Sequence, residues 1–226
     1  MISFLISAIK IIFLLGFLIG IHETGHFLIA KLCKVRVNEF AIGFGPVIWK
    51  KQGKETKYEL RLIPLGGFVN MEGEAEQSEK EGSFTKASIP RRIAIVAAGA
   101  LVNIIFAIMV YFILAMTIRG NLTNAVVGNR VLDADNFGNR LYFASYNTKE
   151  FMLSIAESVK QLFTGKVSSA ELVGPVGISE VVAKTNGFRE FIYIMSAISI
   201  SLGVTNLLPF PPLDGGKIVL ILLEAI

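Results

Sequence analysis

His22-Glu23-Thr24-Gly25-His26 carries the chemistry most easily read from this chain. In a helix, residues i and i+4 stand one above the other on a single face, so His22 and His26 can offer two imidazole nitrogens to one Zn²⁺. Glu23, beside the first histidine, can then reach a water on that ion and act as its general base. A catalytic zinc takes three protein ligands and keeps one position open, so a third ligand is required. The chain has no third histidine. The candidate is Asp214, in Asn206-Leu207-Leu208-Pro209-Phe210-Pro211-Pro212-Leu213-Asp214-Gly215-Gly216. Three prolines break that apolar segment and two glycines permit tight turns, the usual way a carboxylate is presented inside a membrane. Glu224, near the chain end, is a weaker candidate.

The elements that must position these groups are apolar. The motif is flanked by Ile11 to Ile21 on one side and Phe27 to Ala30 on the other. The hydrophobic fraction is 53 % and the mean hydropathy +0.60, high for a soluble domain of 226 residues. Segments near 2–30, 93–118 and 191–208 are long enough to cross a bilayer, and a shorter apolar stretch follows at 218–226. The first is too long for a cleaved signal peptide, lacks a basic start and contains the metal motif. Ionisable groups at such depth should face the protein interior and have a function.

Net charge is +4, and basic residues crowd the region from Lys31 to Arg92. Positive charge near span ends predicts that this region is cytoplasmic, the N-terminus external and the motif nearer the inner face of the cell inner membrane. Acids such as Glu72, Glu74, Glu76, Glu79 and Glu81 are interleaved, and this argues against nucleic-acid binding. Cys33 is the single cysteine, which excludes an intrachain disulfide.

The first helix is predicted to run to about Leu32. Residues 36–70 alternate and read as a small β-hairpin or sheet, with strands at Val47-Ile48-Trp49 and Tyr58 to Ile63, a tip at Gln52-Gly53-Lys54, and an end at Pro64-Leu65-Gly66-Gly67-Phe68-Val69. This hairpin is either a structural lid or an exposed edge on which Tyr58, Leu60 and Leu62 take an extended substrate by strand addition. Glu72 to Ser88 reads as a mobile loop. In the second span, Gly99 serves either close helix contact or the site, and Asn103 wants a polar partner. Asn206 is either a helix cap or a donor to substrate. Residues 119–150 read as irregular, 151–163 as an amphipathic helix on the membrane surface, and Gly174-Pro175-Val176-Gly177 as a turn before a helix. The expected fold is an all-α polytopic membrane protein forming one unit over 1–226, with about three transmembrane helices, a broken half-helix and a small membrane-associated β-hairpin or sheet.

Taken together, His22-Glu23-Thr24-Gly25-His26 and Asn206-x-x-Pro209-x-Pro211-x-Leu213-Asp214-Gly215 resemble the site-2 protease family of intramembrane zinc metalloproteases. Gly99-x-x-x-Asn103, the hairpin ending Pro64 to Val69, and Gly174 to Gly177 are further matches, in order along nearly the whole chain. The resemblance implies a Zn²⁺ cofactor on His22, His26 and Asp214, Glu23 as general base, and Asn206 and Asn103 near the substrate. It implies transmembrane protein substrates such as anti-sigma factors or remnant signal peptides, and a lipid bilayer as the medium; it leaves the oligomeric state open. Two departures stand out. Bacterial members usually carry PDZ domains where 119–150 stands, a segment too short for one, and Val126 to Val131 reads as a remnant or an excision. They also have a further span after the Leu-Asp-Gly segment, so the chain is expected to stop early at Ile226. Two other classes compete: a transporter whose broken helix carries a metal ion as cargo, and a catalytically silent relative that binds membrane helices. The intact pairing of base and ligands argues against both.

Overall fold

The computed structural model describes residues 2–76, 78–117, 124–127, 130–133, 136–164 and 175–224. In chain order these form α1 (Ile2–Leu32), β1 (Val37–Gln52), β2 (Lys57–Met71), α2 (Ile89–Met116), β3 (Asn124–Val127), β4 (Arg130–Asp133), α3 (Phe137–Phe163), α4 (Pro175–Ala183), α5 (Phe188–Asn206) and α6 (Asp214–Leu223). Three helices are long and apolar enough to cross a membrane, at Leu5–Leu32, Ile89–Met116 and Phe188–Asn206. The expected fold class is what forms, helices of membrane-spanning length with a short helix after a break and the small β1–β2 sheet, and a second small sheet, β3–β4, is present among the described residues.

The chain divides into two compact units. One comprises 1–104 and 202–226, the other 105–201. The first contains the core, where Ala30, Val35, Val37, Met71, Phe84, Ile95, Val96 and Ile221 pack together from α1, the sheet, α2 and α6. In the second, Tyr111 of α2 stacks on Phe151 of α3 with centroids 4.3 Å apart.

The sheet departs from a simple hairpin. β1 and β2 pair antiparallel through the 53–56 turn, with Gln52 opposite Lys57 and Trp49 opposite Leu60. Both strands bend and are used twice. Gly43 and Gly45 have φ of 92° and 80°, the left-handed region that permits such a bend. Residues 39–42 consequently lie between two rows of β2, with Phe40 opposite both Val69 and Tyr58. The rows run 67–71, 37–42, 57–60, 49–52. The stretch from Pro64 to Val69 does lie at the end of the sheet, which runs two residues further, to Met71. Pro64 packs on Gly16 in the middle of α1. Phe44, Ile48, Trp49, Leu62 and Ile63 are exposed, as lipid contact would favour.

Two other regions are more ordered than their composition suggested. The 72–88 segment folds back onto the strands: Glu72 donates its N–H to Arg36 O, Phe84 donates to Glu72 O, and Phe84 is buried. Hydrogen bonds from Ser78 and Asn38, with the Lys80 ammonium, hold the Glu72 carboxyl down at about 2. Within 119–150, β3 pairs with β4, Asn124 opposite Asp133, and α3 begins at Phe137. The amphipathic 151–163 stretch is thus the second half of a longer helix. Gly128, Asn129, 118–123, Gly174 and Ile226 lie outside the described residues.

Candidate metal and catalytic site

His22 and His26 lie one turn apart on α1, both 8 % exposed. Their rings meet edge to face, centroids 4.7 Å apart, and their Nε2 atoms are 3.1 Å apart. His26 Nδ1 lies 2.9 Å from the carbonyl oxygen of Ile95 on α2. A carbonyl can only accept, so Nδ1 carries the hydrogen and the Nε2 lone pair faces His22. Behind His22, the amide of Asn103 lies 3.5 Å from Nδ1. The amide atom nearest the ring is Nδ2; were the amide turned so that Oδ1 took its place, Asn103 would accept the Nδ1 hydrogen and leave the His22 Nε2 lone pair facing the same point.

Asp214 completes the convergence. It is the first residue of α6, after the break in which the Pro211–Pro212 peptide is cis. Its Oδ2 is buried, accepts no well-formed hydrogen bond, and lies 3.1 Å from His22 Nε2 and 3.4 Å from His26 Nε2. Two imidazole lone pairs and a carboxylate oxygen aimed at one point repel unless a cation lies between them. Tetrahedral zinc with bonds of roughly 2.0–2.1 Å sets its ligand atoms ~3.3 Å apart. The separations of 3.1, 3.1 and 3.4 Å match that edge, so the donor set fits zinc. Among the described residues this is the group of histidine and carboxylate side chains that could hold a metal ion.

The helices reach this arrangement because two glycines let them touch. A Cβ on Gly25 would lie 2.6 Å from Ala98 O on α2. A Cβ on Gly99 would lie 2.8 Å from His26 Cε1 and 2.9 Å from His22 Cε1. Both readings of Gly99 thus merge: the close helix contact is also the floor under the two imidazoles.

Beside the three donor atoms lies a cavity of about 180 Å³, lined by Glu23, Gly67, Phe68, Val69, Glu74 and Lys217 among others. A Cβ on Gly67 would be 2.9 Å from Glu23 Cγ, so β2 passes directly against the candidate base. Lys217 of α6 and Glu74 form an ion pair of 2.9 Å on the cavity lining.

Other expected site residues fall elsewhere. Row 57–60 is flanked on both sides, by 39–42 and 49–52, so Tyr58 and Leu60 offer no free edge. Tyr58 packs on Phe27 and Phe40, Leu60 and Leu62 are exposed, and none of the three lines the cavity. Among the described residues the row beside Glu23 with one unpaired side is 67–71, within and just beyond the stretch expected to end the sheet. Asn103 is fully buried, with its amide beside the His22 ring, and is not among the residues that line the cavity. Asn206 ends α5, half-buried and also outside the cavity lining. Glu74, Lys217 and the Ile95 carbonyl carried no signal in the sequence, because chain folding alone brings them here.

The sequence matches peptidase family M50 over residues 10–226. A Fusobacterium nucleatum protein named as a zinc metalloprotease is 30 % identical across 99 % of this chain and 89 % of its own length. That alignment runs over 306 positions, so at least 80 positions of the relative have no counterpart among these 226 residues. A Clostridium acetobutylicum protein, also named as a zinc metalloprotease, is 31 % identical across 93 % of this chain and 85 % of its own. The Regulator of sigma-E protease RseP of Escherichia coli is 43 % identical over 118 residues, 50 % of this chain and 26 % of its own. The chain belongs to peptidase family M50, the site-2 protease family, and is a zinc metalloprotease of the membrane.

Proposed function

We propose that this metalloprotease cuts peptide bonds within transmembrane segments of membrane proteins, in the manner of regulated intramembrane proteolysis. Anti-sigma factors and remnant signal peptides are the substrate types in view. The supporting observation is that three buried donor atoms converge at 3.1–3.4 Å inside a span-bearing unit, next to a carboxylate and a row of β-strand open on one side.

His22, His26 and Asp214 would hold the ion. Zinc, when bound, acidifies a water and polarises the scissile carbonyl. Glu23 accepts the proton of the attacking water and passes it to the departing amine. The Ile95 carbonyl orients the His26 ring, and Asn103 packs beside the His22 ring, so that both Nε2 atoms face the point where a metal would bind. A transmembrane helix must unwind before its peptide bonds can be reached. An unwound segment can satisfy its backbone groups by pairing along row 67–71, which brings its carbonyl past Glu23. The basic residues from Lys31 to Arg92 support a cytoplasmic location for this region, with the site nearer that side of the inner membrane.

The test is cleavage of a synthetic transmembrane peptide by purified protein in micelles. Glu23→Gln is expected to keep zinc and lose roughly 10²–10⁴ in rate, because an amide cannot take the proton. Near-normal turnover by that variant would end this mechanism.

A further inference from the structure

We propose that a second, polar pocket, at the ends of α1 and α2, binds the phosphate of an anionic phospholipid headgroup. The cavity measures about 490 Å³, and its charged lining is Lys34, Arg36, Lys86, Arg91, Glu55 and Glu81. Glu55 is already engaged by Lys31 at 2.9 Å and Arg36 at 3.8 Å, and Lys86 reaches Glu79 at 3.0 Å. Lys34 and Arg91 are exposed and have no carboxylate partner among the described residues. Four cations against two carboxylates leave an excess of positive charge in a concave site.

Its height is that of a headgroup. Lys34 follows the span that ends at Leu32, and Arg91 lies in the first turn of the span that begins at Ile89. Basic pockets where spans leave the apolar zone suit phosphate-bearing lipids. Leu28 and Leu32, 51 % and 76 % exposed, continue the last turns of α1 as apolar surface on which an acyl chain can lie. Positive charge at the span ends, with exposed leucines in the last turns of the same helix, favours a lipid over a free anion.

The backbone gives an independent indication. Val35 donates to Ala30 O at 2.9 Å and Lys34 to Lys31 O at 3.1 Å, the closing turn of a helix C-terminus. Lys34 fills the left-handed position of that turn, φ 61°, where glycine is favoured. A lysine there sets local strain against a cation in the pocket. The pocket wall is fixed as well, since Arg36 donates to Gly82 O at 2.8 Å.

The experiment uses the full chain in detergent micelles and compares binding of phosphatidylglycerol and phosphatidylcholine with identical acyl chains, read by native mass spectrometry and by melting temperature. Phosphatidylglycerol should bind about tenfold tighter or more, and Lys34→Gly and Arg91→Gln should each lower its affinity about fivefold. Lys34→Gly should meanwhile melt at the same or a higher temperature without lipid, because glycine relieves the turn. Zinc content should not change in either variant, which separates this site from the proteolytic one. Equal binding of the two lipids, or full retention of the preference in both variants, would overturn the proposal. So would inorganic phosphate that displaces phosphatidylglycerol at equal headgroup concentration, which would assign the pocket to a free anion.

Discussion

Helix α1 and the β1–β2 sheet border the same cavity, and they reach it by different physics. In α1 the placement follows from local spacing: His22 and His26 face one way because a helix repeats every 3.6 residues, and Glu23 stands beside them. In the sheet it follows from pairing between distant segments, with residues 39–42 caught between 57–60 and 67–70. Local spacing fixes which side chains point together. Pairing fixes which backbone stays open, and alternation along a strand says nothing about that. In the proposed mechanism the helix therefore supplies the reacting groups, and the sheet supplies an edge for a substrate backbone.

The contrast breaks most severely at the metal. His26→Ala or Asp214→Ala should take zinc content from about one ion per chain to near zero and proteolysis to background, since two protein ligands do not make a catalytic zinc site. Membrane insertion should persist, because neither side chain is part of the apolar surface. Metal analysis of purified variants checks this; full zinc occupancy in the Asp214 variant would leave α6 outside the site.

Gly99 sharpens the helical half of the comparison without replacing a ligand. A side chain there must enter the space of both imidazoles. Gly99→Val should weaken zinc roughly 10–100-fold, the scale found when the support of a ligand is disturbed. Competition with a chelator measures it, and unchanged affinity would show that the helices can separate freely.

The sheet responds on a smaller scale. Proline placed at Phe68 and at Val69 in turn removes one donor facing the inner ladder and one facing the open side. The outward one should raise KM about fivefold for a transmembrane peptide, near the net worth of one hydrogen bond, with zinc and kcat unaltered. Proline at Tyr58 should instead damage the sheet itself, as both sides of that row are paired. If proline at 68 and 69 leaves KM unmoved, the substrate does not lie along this row.

These differences match what could be read beforehand. His22, Glu23 and His26 were legible from spacing, and Asp214 from a carboxylate set in a broken apolar segment. The end of α1 at Leu32 was legible because Lys34, Arg36 and the alternating run follow at once. The open edge was not, since Tyr58 to Ile63 and Gly66 to Asn70 are both plausible strands and only long-range pairing decides which lies outside. The first half of α3 was hidden by Gly138, Asn139, Ser145 and Asn147, all poor or moderate helix formers. A signal was present in Asn136, whose Oδ1 accepts from the N–H groups of Gly138 at 2.8 Å and Asn139 at 3.3 Å, as a helix cap does.

The smallest expected effect lies within the sheet, at Glu59. Its carboxylate faces the Lys57 ammonium, first among the causes that hold it at about 2, and it accepts from Arg61 Nη2 at 2.8 Å and Nε at 3.1 Å. Arg61 also reaches Glu39 at 3.1 Å, so the cluster joins row 37–42 to row 57–60. The folded value lies below the ordinary value of 4.5. The sign follows: the unfolded chain binds this proton first, so the stabilisation is fully present above about pH 4.5 and drains as pH falls towards 2. Trp49, the single tryptophan, lies opposite Leu60 and reports on this part of the sheet. Its fluorescence during denaturant titration should show the sheet weakening between pH 4.5 and 2 in the native sequence, with a shallower slope in Glu59→Gln, whose amide has no proton to gain. Identical slopes would mean that the ion pairs leave the sheet's stability unchanged, and that pairing and apolar burial alone keep row 67–71 beside Glu23.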